Sequence, residues 1–303
     1  MTFIYHKRLL QQIKMSPTTT LNTVLLPTGE KIFYRTAGPI DAPTILLLHG
    51  FPSSSHQYRN LTPFLATKYR VIAPDLPGFG FTELPSTYKY SFDNIAKTIG
   101  TFLETIPSPP EKYSIYIFDY GAPTGLRLAL SKPSAVSAIF SQNGNAYVEG
   151  LSAFWDPIKK YWASDSTEDR EALAGFLKIE GTKWQYETGS PDPNSIAPET
   201  YTLDQALMDR PGNKDIQLDL FKDYENNVKL YPEFHKFFRE SQVPLLAAWG
   251  KNDEIFPPPG AEAFKRDLPN AEIHLLNAGH FAVETETEEI ARLMLAFLEK
   301  NGI

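Results

Sequence analysis

The feature that most constrains the fold is a short run, Thr44-Ile45-Leu46-Leu47-Leu48, in which hydrophobic and polar side chains do not alternate. A strand with one face in water alternates between the two kinds of residue, whereas a strand buried on both faces is continuously hydrophobic. The run therefore predicts a central strand of a parallel sheet that helices cover on both sides.

Around this run, short β-branched segments alternate with longer amphipathic stretches. The predicted strands are residues 21–26, 31–37, 44–48, 70–73, 113–118, 136–141, 245–249 and 272–276. The predicted helices are residues 95–106, 121–130, 261–267 and 288–298. Because alternating strands and helices are typical of α/β proteins, we predict a doubly wound, mostly parallel sheet of about eight strands.

The alternation stops between residues 141 and 245, a segment without a convincing strand pattern that is rich in Trp, Tyr and Phe. We predict a helical cap here, inserted after the sixth strand and packed over one edge of the sheet, with most of its aromatic side chains in its own core. The predicted domains are an N-terminal extension (1–20), an α/β core (21–145 and 237–303) and the helical cap (146–236).

Charge and residue content exclude several classes of protein. The 29 Lys and Arg residues face 36 Asp and Glu residues, and the net charge of −7 disfavours binding to nucleic acids or anionic lipids. The chain has no cysteine, which excludes disulfides, thiol nucleophiles and thiolate metal sites. Since no other metal-binding spacing occurs, we expect no metal and no cofactor. The expected partner is a small-molecule substrate, and a homodimer stays open.

The sequence also bears on location in the cell. No hydrophobic run approaches the roughly 20 residues that cross a bilayer. Charges are scattered through the first residues, MTFIYHKRLLQQIKMSP, which is unlike a secretory signal. We expect a cytoplasmic protein; because this stretch is weakly basic and amphipathic, a mitochondrial presequence is the alternative.

Three side chains with acid or base chemistry directly follow predicted strands. Asp119 lies where the strand 113–118 gives way to a helix, Asp253 follows the strand 245–249, and His280 follows the strand 272–276. Ligands of parallel sheets bind outside the carboxyl ends of the strands. The sequence therefore predicts two carboxylates and one imidazole at the same rim of the sheet.

Two further polar residues follow strands, and we interpret both as structural. His49 begins the loop His49-Gly50-Phe51-Pro52 and is expected to orient it. Asp75 follows the strand 70–73 and is expected to cap a turn.

These motifs resemble the α/β-hydrolase fold family, in particular its branch of epoxide hydrolases and haloalkane dehalogenases. His49-Gly50-Phe51-Pro52 resembles the His-Gly-x-Pro loop of that branch, and Asp119-Tyr120-Gly121 resembles its nucleophile turn. Asp253 resembles its acid after a strand, and Gly279-His280 its base. The resemblance covers the chain from about residue 21 onward in order and spacing, whereas the insertion matches only in length and aromatic character.

The resemblance implies a catalytic triad without a cofactor. Asp119 would be the nucleophile, His280 would activate water, and Asp253 would hold the other imidazole nitrogen. The backbone N–H groups of Phe51 and Tyr120 would form the oxyanion hole. One residue departs from the family pattern. Ile117 stands two residues before Asp119, where the family has a small residue, so the turn could be packed differently or be less strained than in the family.

The chemistry of Asp119 narrows the reaction. A carboxylate attacking an ordinary ester forms a mixed anhydride that reverts easily, whereas its displacement at saturated carbon forms an ordinary ester. No Gly-x-Ser-x-Gly motif is present to supply a hydroxyl instead. A carboxylate at this turn therefore favours opening of an epoxide or expulsion of a halide.

The leaving group distinguishes these two reactions. An epoxide leaves as a basic alkoxide and needs an acid such as a phenol, whereas a halide needs only donors, usually Trp N–H groups. Tyr120 and Phe51 occupy positions where dehalogenases often have Trp and Asn. Tyr224 resembles the second of the two cap tyrosines of epoxide hydrolases, whereas Ile158 stands at the place of the first and Tyr161 lies one turn away.

We therefore predict substrate-binding roles for Tyr224, Tyr161 and also His56, which borders the Phe51 loop. The favoured function is an epoxide hydrolase-like reaction on a small apolar substrate. Haloalkane or haloacid dehalogenation, ester or lactone hydrolysis, and a non-catalytic ligand-binding role stay open, because a fold alone does not fix a function.

Overall fold

Eight strands form a single sheet in the order β1-β2-β4-β3-β5-β6-β7-β8 in the computed structural model, which describes residues 17–303. The strands are β1 (Thr20–Leu25), β2 (Lys31–Ala37), β3 (Thr44–Leu48), β4 (Arg70–Pro74), β5 (Tyr113–Ile117), β6 (Val136–Ser141), β7 (Leu245–Gly250) and β8 (Glu272–Leu276). β2 pairs antiparallel with β1 and β4, and all other neighbours are parallel. The predicted sheet is confirmed. Residues 1–16 of the predicted N-terminal extension lie outside the described residues.

Helices cover both faces of this sheet. They are α1 (Thr62–Leu65), α2 (Phe92–Thr105), α3 (Gly121–Ser131), α4 (Asp156–Ser164), α5 (Thr167–Ala172), α6 (Ile179–Glu187), α7 (Pro198–Met208), α8 (Asn213–Ser241), α9 (Pro259–Glu262), α10 (Phe264–Asp267), α11 (Ala282–Thr285) and α12 (Thr287–Lys300). The predicted helix 261–267 is instead the two short helices α9 and α10, which meet at Ala263.

The continuous hydrophobic run is the central strand β3, as predicted. Its residues Ile45 and Leu47 pack into the hydrophobic cluster on one face of the sheet, and Leu46 and Leu48 into the cluster on the other face. All four side chains are fully buried, and each such burial contributes about 1.5–3 kcal/mol. β3 is therefore held from both sides, and its carboxyl end at His49 is fixed in space.

Between β6 and β7 the described chain forms helices and short 3₁₀ turns rather than strands. This confirms a helical insertion after the sixth strand; we call α4 to α8 the insertion below. The predicted boundary between residues 236 and 237 falls within the continuous helix α8. The division of the chain into core and cap domains therefore stays a prediction.

The helices of residues 17–303 were also compared with the requirements of a membrane span. None of them combines the necessary length with sufficient apolar character.

Candidate active site

Asp119 occupies the tight turn between β5 and α3. Its backbone has a φ of 45°, in the left-handed region that residues other than glycine rarely adopt. Two glycines allow the close packing around it: a Cβ at Gly121 would lie 2.1 Å from the carbonyl oxygen of Leu48, and one at Gly50 would lie 2.3 Å from Asp119 Oδ1. The turn therefore holds the Asp119 carboxylate at the carboxyl end of β5.

The turn keeps its left-handed backbone although Ile117 is large. The Ile117 side chain packs against Gly125 of α3, where a Cβ on the glycine would lie only 2.6 Å from Ile117 Cγ2. Gly125 therefore makes room for Ile117, and Asp119 keeps its left-handed backbone.

The carboxylate of Asp119 is held by backbone N–H groups. The Phe51 N–H donates to Asp119 Oδ1 at 2.6 Å. Burial raises the pKa of Asp119 to about 6, against the opposing effects of the His280 charge and of the N–H groups of Phe51 and Tyr120. A pKa of about 6 leaves Asp119 mostly ionised at neutral pH, and the structure brings both predicted oxyanion donors to this carboxylate.

His280 is buried between the two carboxylates. Its Nδ1 lies 2.8 Å from Asp253 Oδ2, and because an ionised carboxylate only accepts, Nδ1 is the donor. Its Nε2 therefore carries the lone pair; it lies 4.0 Å from Asp119 Oδ2 and has no hydrogen-bond partner among the described residues. Burial lowers the pKa of His280, but the carboxylates of Asp253 and Asp119 outweigh it and raise the pKa above its usual value.

A residue that the sequence interpretation missed completes this group. Asn143 Nδ2 donates to Asp253 Oδ2 at 2.7 Å, and the Ile255 N–H donates to Asp253 Oδ1 at 2.7 Å. Asn143 also accepts from the Gly250 N–H at 2.9 Å, which ties it to the end of β7. Asn143 follows β6, so the strand-end rule that identified Asp119 also applies to it.

Aromatic side chains of the insertion cover the turn that carries Asp119. The Tyr224 ring of α8 lies 5.9 Å from that of Tyr120 and 4.4 Å from that of Trp155, measured between centroids. The Phe221 ring packs 5.4 Å from that of Phe51. The Tyr224 hydroxyl is buried, and the nearby hydroxyl is that of Tyr231, which accepts from Asn145 Nδ2 at 3.2 Å. No backbone carbonyl or carboxylate of the described residues accepts from Tyr224.

Two other predicted binding residues have different surroundings. Tyr161 of α4 is buried against Lys222, whose Nζ lies 5.0 Å from the ring centroid. His56 is half-buried among charged groups that include Arg59, Arg35 and Glu199, and burial together with the arginine charges lowers its pKa to about 4. No described contact brings either side chain to Asp119 or His280.

The structure bears out the structural interpretations of His49 and Asp75. The Leu76 N–H donates to His49 Nε2 at 2.9 Å, so His49 joins the loops after β3 and β4. Asp75 accepts from the N–H groups of Ser55 and Phe81 at 2.8 and 2.7 Å. Both residues therefore shape the loops that follow β3 and β4.

Asp119, Asp253 and His280 are nearly enclosed, each with at most 5% of its surface exposed. Four surface clefts of about 380 to 620 Å³ are lined by residues elsewhere on the molecule. Over residues 17–303 no group of three or more His, Cys, Asp or Glu side chains has the arrangement of a metal site. The buried polar chemistry here is that of two carboxylates, one imidazole and backbone N–H groups.

Comparison with known proteins identifies the family of this chain. The model of a family described as the alpha/beta hydrolase fold matches residues 43–287. "Uncharacterized hydrolase YNR064C" of Saccharomyces cerevisiae is 50% identical over 277 residues, covering 90% of this chain and 95% of that protein. A haloalkane dehalogenase of Mycolicibacterium paratuberculosis is 35% identical over 280 residues, covering 88% and 87%.

Solved structures share the fold at low sequence identity. Epoxide hydrolase CorEH has a TM-score of 0.74 and 20% identity, covering 93% of this chain and 99% of that one. Haloalkane dehalogenase DbeA from Bradyrhizobium elkani has a TM-score of 0.77 and 20% identity, covering 94% and 99%. The family suggested by the sequence motifs is thereby confirmed: this chain belongs to the α/β-hydrolase fold family and is a hydrolase of that superfamily.

Proposed function

We propose that this hydrolase opens epoxides through a covalent ester on Asp119. The observation that carries the proposal is a carboxylate at the nucleophile turn, 4.0 Å from a buried imidazole nitrogen without a partner. Asp253 orients that imidazole by binding its other nitrogen, Nδ1, and Asn143 in turn donates a hydrogen bond to Asp253. A carboxylate in this position favours displacement at saturated carbon over acyl transfer.

In the first step, Asp119 Oδ2 attacks an epoxide carbon and the carbon–oxygen bond of the ring breaks. The Phe51 N–H keeps Oδ1 in place at 2.6 Å, so Oδ2 is the free oxygen. The alkoxide that leaves takes the proton of the Tyr224 hydroxyl. The products are an alkyl ester of Asp119 and the phenolate of Tyr224.

In the second step, water attacks the ester carbonyl carbon of Asp119 while His280 Nε2 takes its proton. The oxyanion forms on Oδ1, where the N–H groups of Phe51 and Tyr120 stabilise it. Alkylation has removed the Asp119 charge, one of the groups that raise the pKa of His280, so the imidazole gives up its proton more readily in the ester than in the resting enzyme. Collapse releases the diol, and the imidazolium proton restores Tyr224.

The tryptophan contacts favour an epoxide over a halide. Trp155, which packs on Tyr224, donates its indole N–H to the Ile255 carbonyl at 3.1 Å. Trp162 and Trp249 likewise donate to the carbonyls of Phe221 and Phe256. These N–H groups are committed to the backbone, whereas the Tyr224 hydroxyl is not.

Haloalkane dehalogenation is the second candidate, because one relative of that name is 35% identical to this chain. A substrate panel separates the candidates: an aryl epoxide, a 1-bromoalkane and a p-nitrophenyl ester, with diol, bromide and nitrophenol as the measured products. We expect the highest kcat/KM for the epoxide. Bromide release faster than diol formation would favour the dehalogenase, and nitrophenol release alone would contradict the alkyl-ester mechanism.

The pH dependence of the first step follows from Asp119. Only the ionised carboxylate attacks, so we expect kcat/KM for an epoxide to rise with pH up to about 6, the pKa of Asp119, and then to level off. Below that value the rate should fall about tenfold per pH unit. The measurement is kcat/KM between pH 4.5 and 8 with a stability check at each pH; a flat profile down to pH 5 contradicts an ionised nucleophile with this pKa.

Tyr224→Phe tests the proposed acid. It removes one hydroxyl and keeps the ring against Trp155, so we expect epoxide turnover to fall about 100-fold, as for the loss of a general acid. Reaction with a bromoalkane should change little, because bromide needs no proton. Tyr201→Phe, which removes the hydroxyl of another tyrosine of the insertion, is the matched control and should retain turnover. An unchanged epoxide rate for Tyr224→Phe would exclude Tyr224 as the acid.

A further inference from the structure

A buried polar cluster outside the triad joins the insertion to both loops of the candidate site. The Tyr186 hydroxyl of α6 donates to Asp204 Oδ2 of α7 at 2.5 Å and lies 3.4 Å from Ser53 Oγ. Ser53 stands two residues after Phe51, whose N–H binds Asp119. One tyrosine therefore contacts the loop that supplies a predicted oxyanion donor.

The ring of the same tyrosine contacts the loop that carries the base. Tyr186 stacks on Phe281 with centroids 3.8 Å apart and an angle of 13° between the planes. Phe281 follows His280 directly, and their rings are 5.4 Å apart. Tyr186 and Phe281 are both at most 3% exposed, so the two stacked rings are surrounded by other protein atoms.

Asp204 is buried without an ion-pair partner among residues 17–303. The nearby cation, Arg59, is instead paired with Glu284 of α11 through two hydrogen bonds of 2.9 and 2.8 Å. Burial and the Glu284 charge raise the pKa of Asp204 to about 7, against the hydrogen bonds from Tyr186 and Ser53 and the charge of Arg59. Ionising Asp204 thus destabilises the folded state as pH rises from about 4 to 7.

We propose that Tyr186, held by Asp204, is a positioning residue that fixes the spacing between the Phe51 loop and the His280 loop. This rests on the proposed function, because the spacing matters for an ester that forms beside Phe51 and is hydrolysed by His280. A shift of about 1 Å between such groups is enough to slow a reaction about 100-fold. The Asp204 carboxylate orients the Tyr186 hydroxyl by accepting its hydrogen bond at 2.5 Å.

The test uses variants that keep the ring stack. Tyr186→Phe removes the hydroxyl, and Asp204→Ala removes its acceptor, whereas Asp204→Asn restores an acceptor oxygen. We expect the first two to slow hydrolysis of the Asp119 ester, so that kcat for an epoxide falls about tenfold while kcat/KM stays near the parent value. The ester should then accumulate during turnover, as seen in the intact protein mass. Asp204→Asn should recover most of the lost kcat.

Tyr201→Phe is the matched control. Tyr201 lies on α7, its ring is 6.3 Å from that of Tyr186, and its hydroxyl makes no hydrogen bond to another described residue. We expect its kcat to equal that of the parent. A kcat for Tyr186→Phe and Asp204→Ala equal to that of Tyr201→Phe overturns the proposal, as does an Asp204→Asn variant as slow as Asp204→Ala.

A second readout does not depend on activity. Hydrogen exchange of the backbone amides in residues 51–55 and 279–283 should become faster in Tyr186→Phe and stay unchanged in Tyr201→Phe. Unchanged exchange in both segments contradicts the link between the loops. If the parent turns over no substrate, the proposed function fails, and the exchange measurement still decides whether Tyr186 joins the two loops.

Discussion

His280→Gln is expected to trap the protein as a covalent adduct on Asp119. Without a base, water attacks the ester about 10⁴-fold more slowly, whereas the first step, which uses Asp119 and Tyr224, continues. The intact protein should therefore gain the mass of one epoxide molecule, and peptide mapping should locate this mass on Asp119. Steady-state diol formation should fall by the same factor of about 10⁴.

His274→Gln is the matched control for this variant. It makes the same substitution on β8, the strand that leads to His280, at a partly exposed residue whose described partner is Glu272. It should form diol like the parent and carry no adduct. Diol formation by His280→Gln within tenfold of the parent rate, without an adduct, would exclude His280 as the base.

Asp119→Asn should abolish turnover, by at least about 10⁴-fold, because a neutral amide does not displace at carbon. Asparagine has the shape of aspartate and tolerates the left-handed backbone of residue 119, so the turn should be preserved. The sharper measurement is in the double variant with His280→Gln: the adduct of the single His280 variant should disappear. An adduct that persists would place the nucleophile on another residue.

Asp165→Asn controls for the backbone conformation in that experiment. Asp165 also has a left-handed backbone, with a φ of 51°, but lies exposed at the end of α4. The same substitution there should leave the melting temperature and turnover at parent values. A loss of turnover that occurs only in Asp119→Asn is then due to the loss of the Asp119 carboxylate.

The sheet was predictable because a strand buried on both faces is continuously hydrophobic in the local sequence. The run at β3 and the β-branched segments gave strand ends within one residue of the structure, and chemistry at those ends led to Asp119, Asp253 and His280. Asn143 obeys the same rule. The turn around Ile117 was harder to predict, because the space for its side chain comes from Gly125 on the following helix.

The contacts of the insertion could not be predicted from local sequence patterns. Tyr186 meets Phe281, and Asp204 meets the Ser53 loop, only because helices distant in the sequence pack together in space. Predicting Tyr161 and His56 as binding residues relied on their distance along the chain from a motif. Their observed surroundings, Lys222 and the arginines near His56, depend on which way each helix turns.

The enclosure of the triad has a consequence for which molecules can react. Two carboxylates, Asp119 and Asp253, flank the single imidazole of His280, so the three side chains together are negative when both carboxylates are ionised. A guest bearing its own carboxylate would lose its hydration there and meet repulsion in exchange. Uncharged molecules avoid this penalty, so we expect the enclosed site to favour neutral substrates over anionic ones.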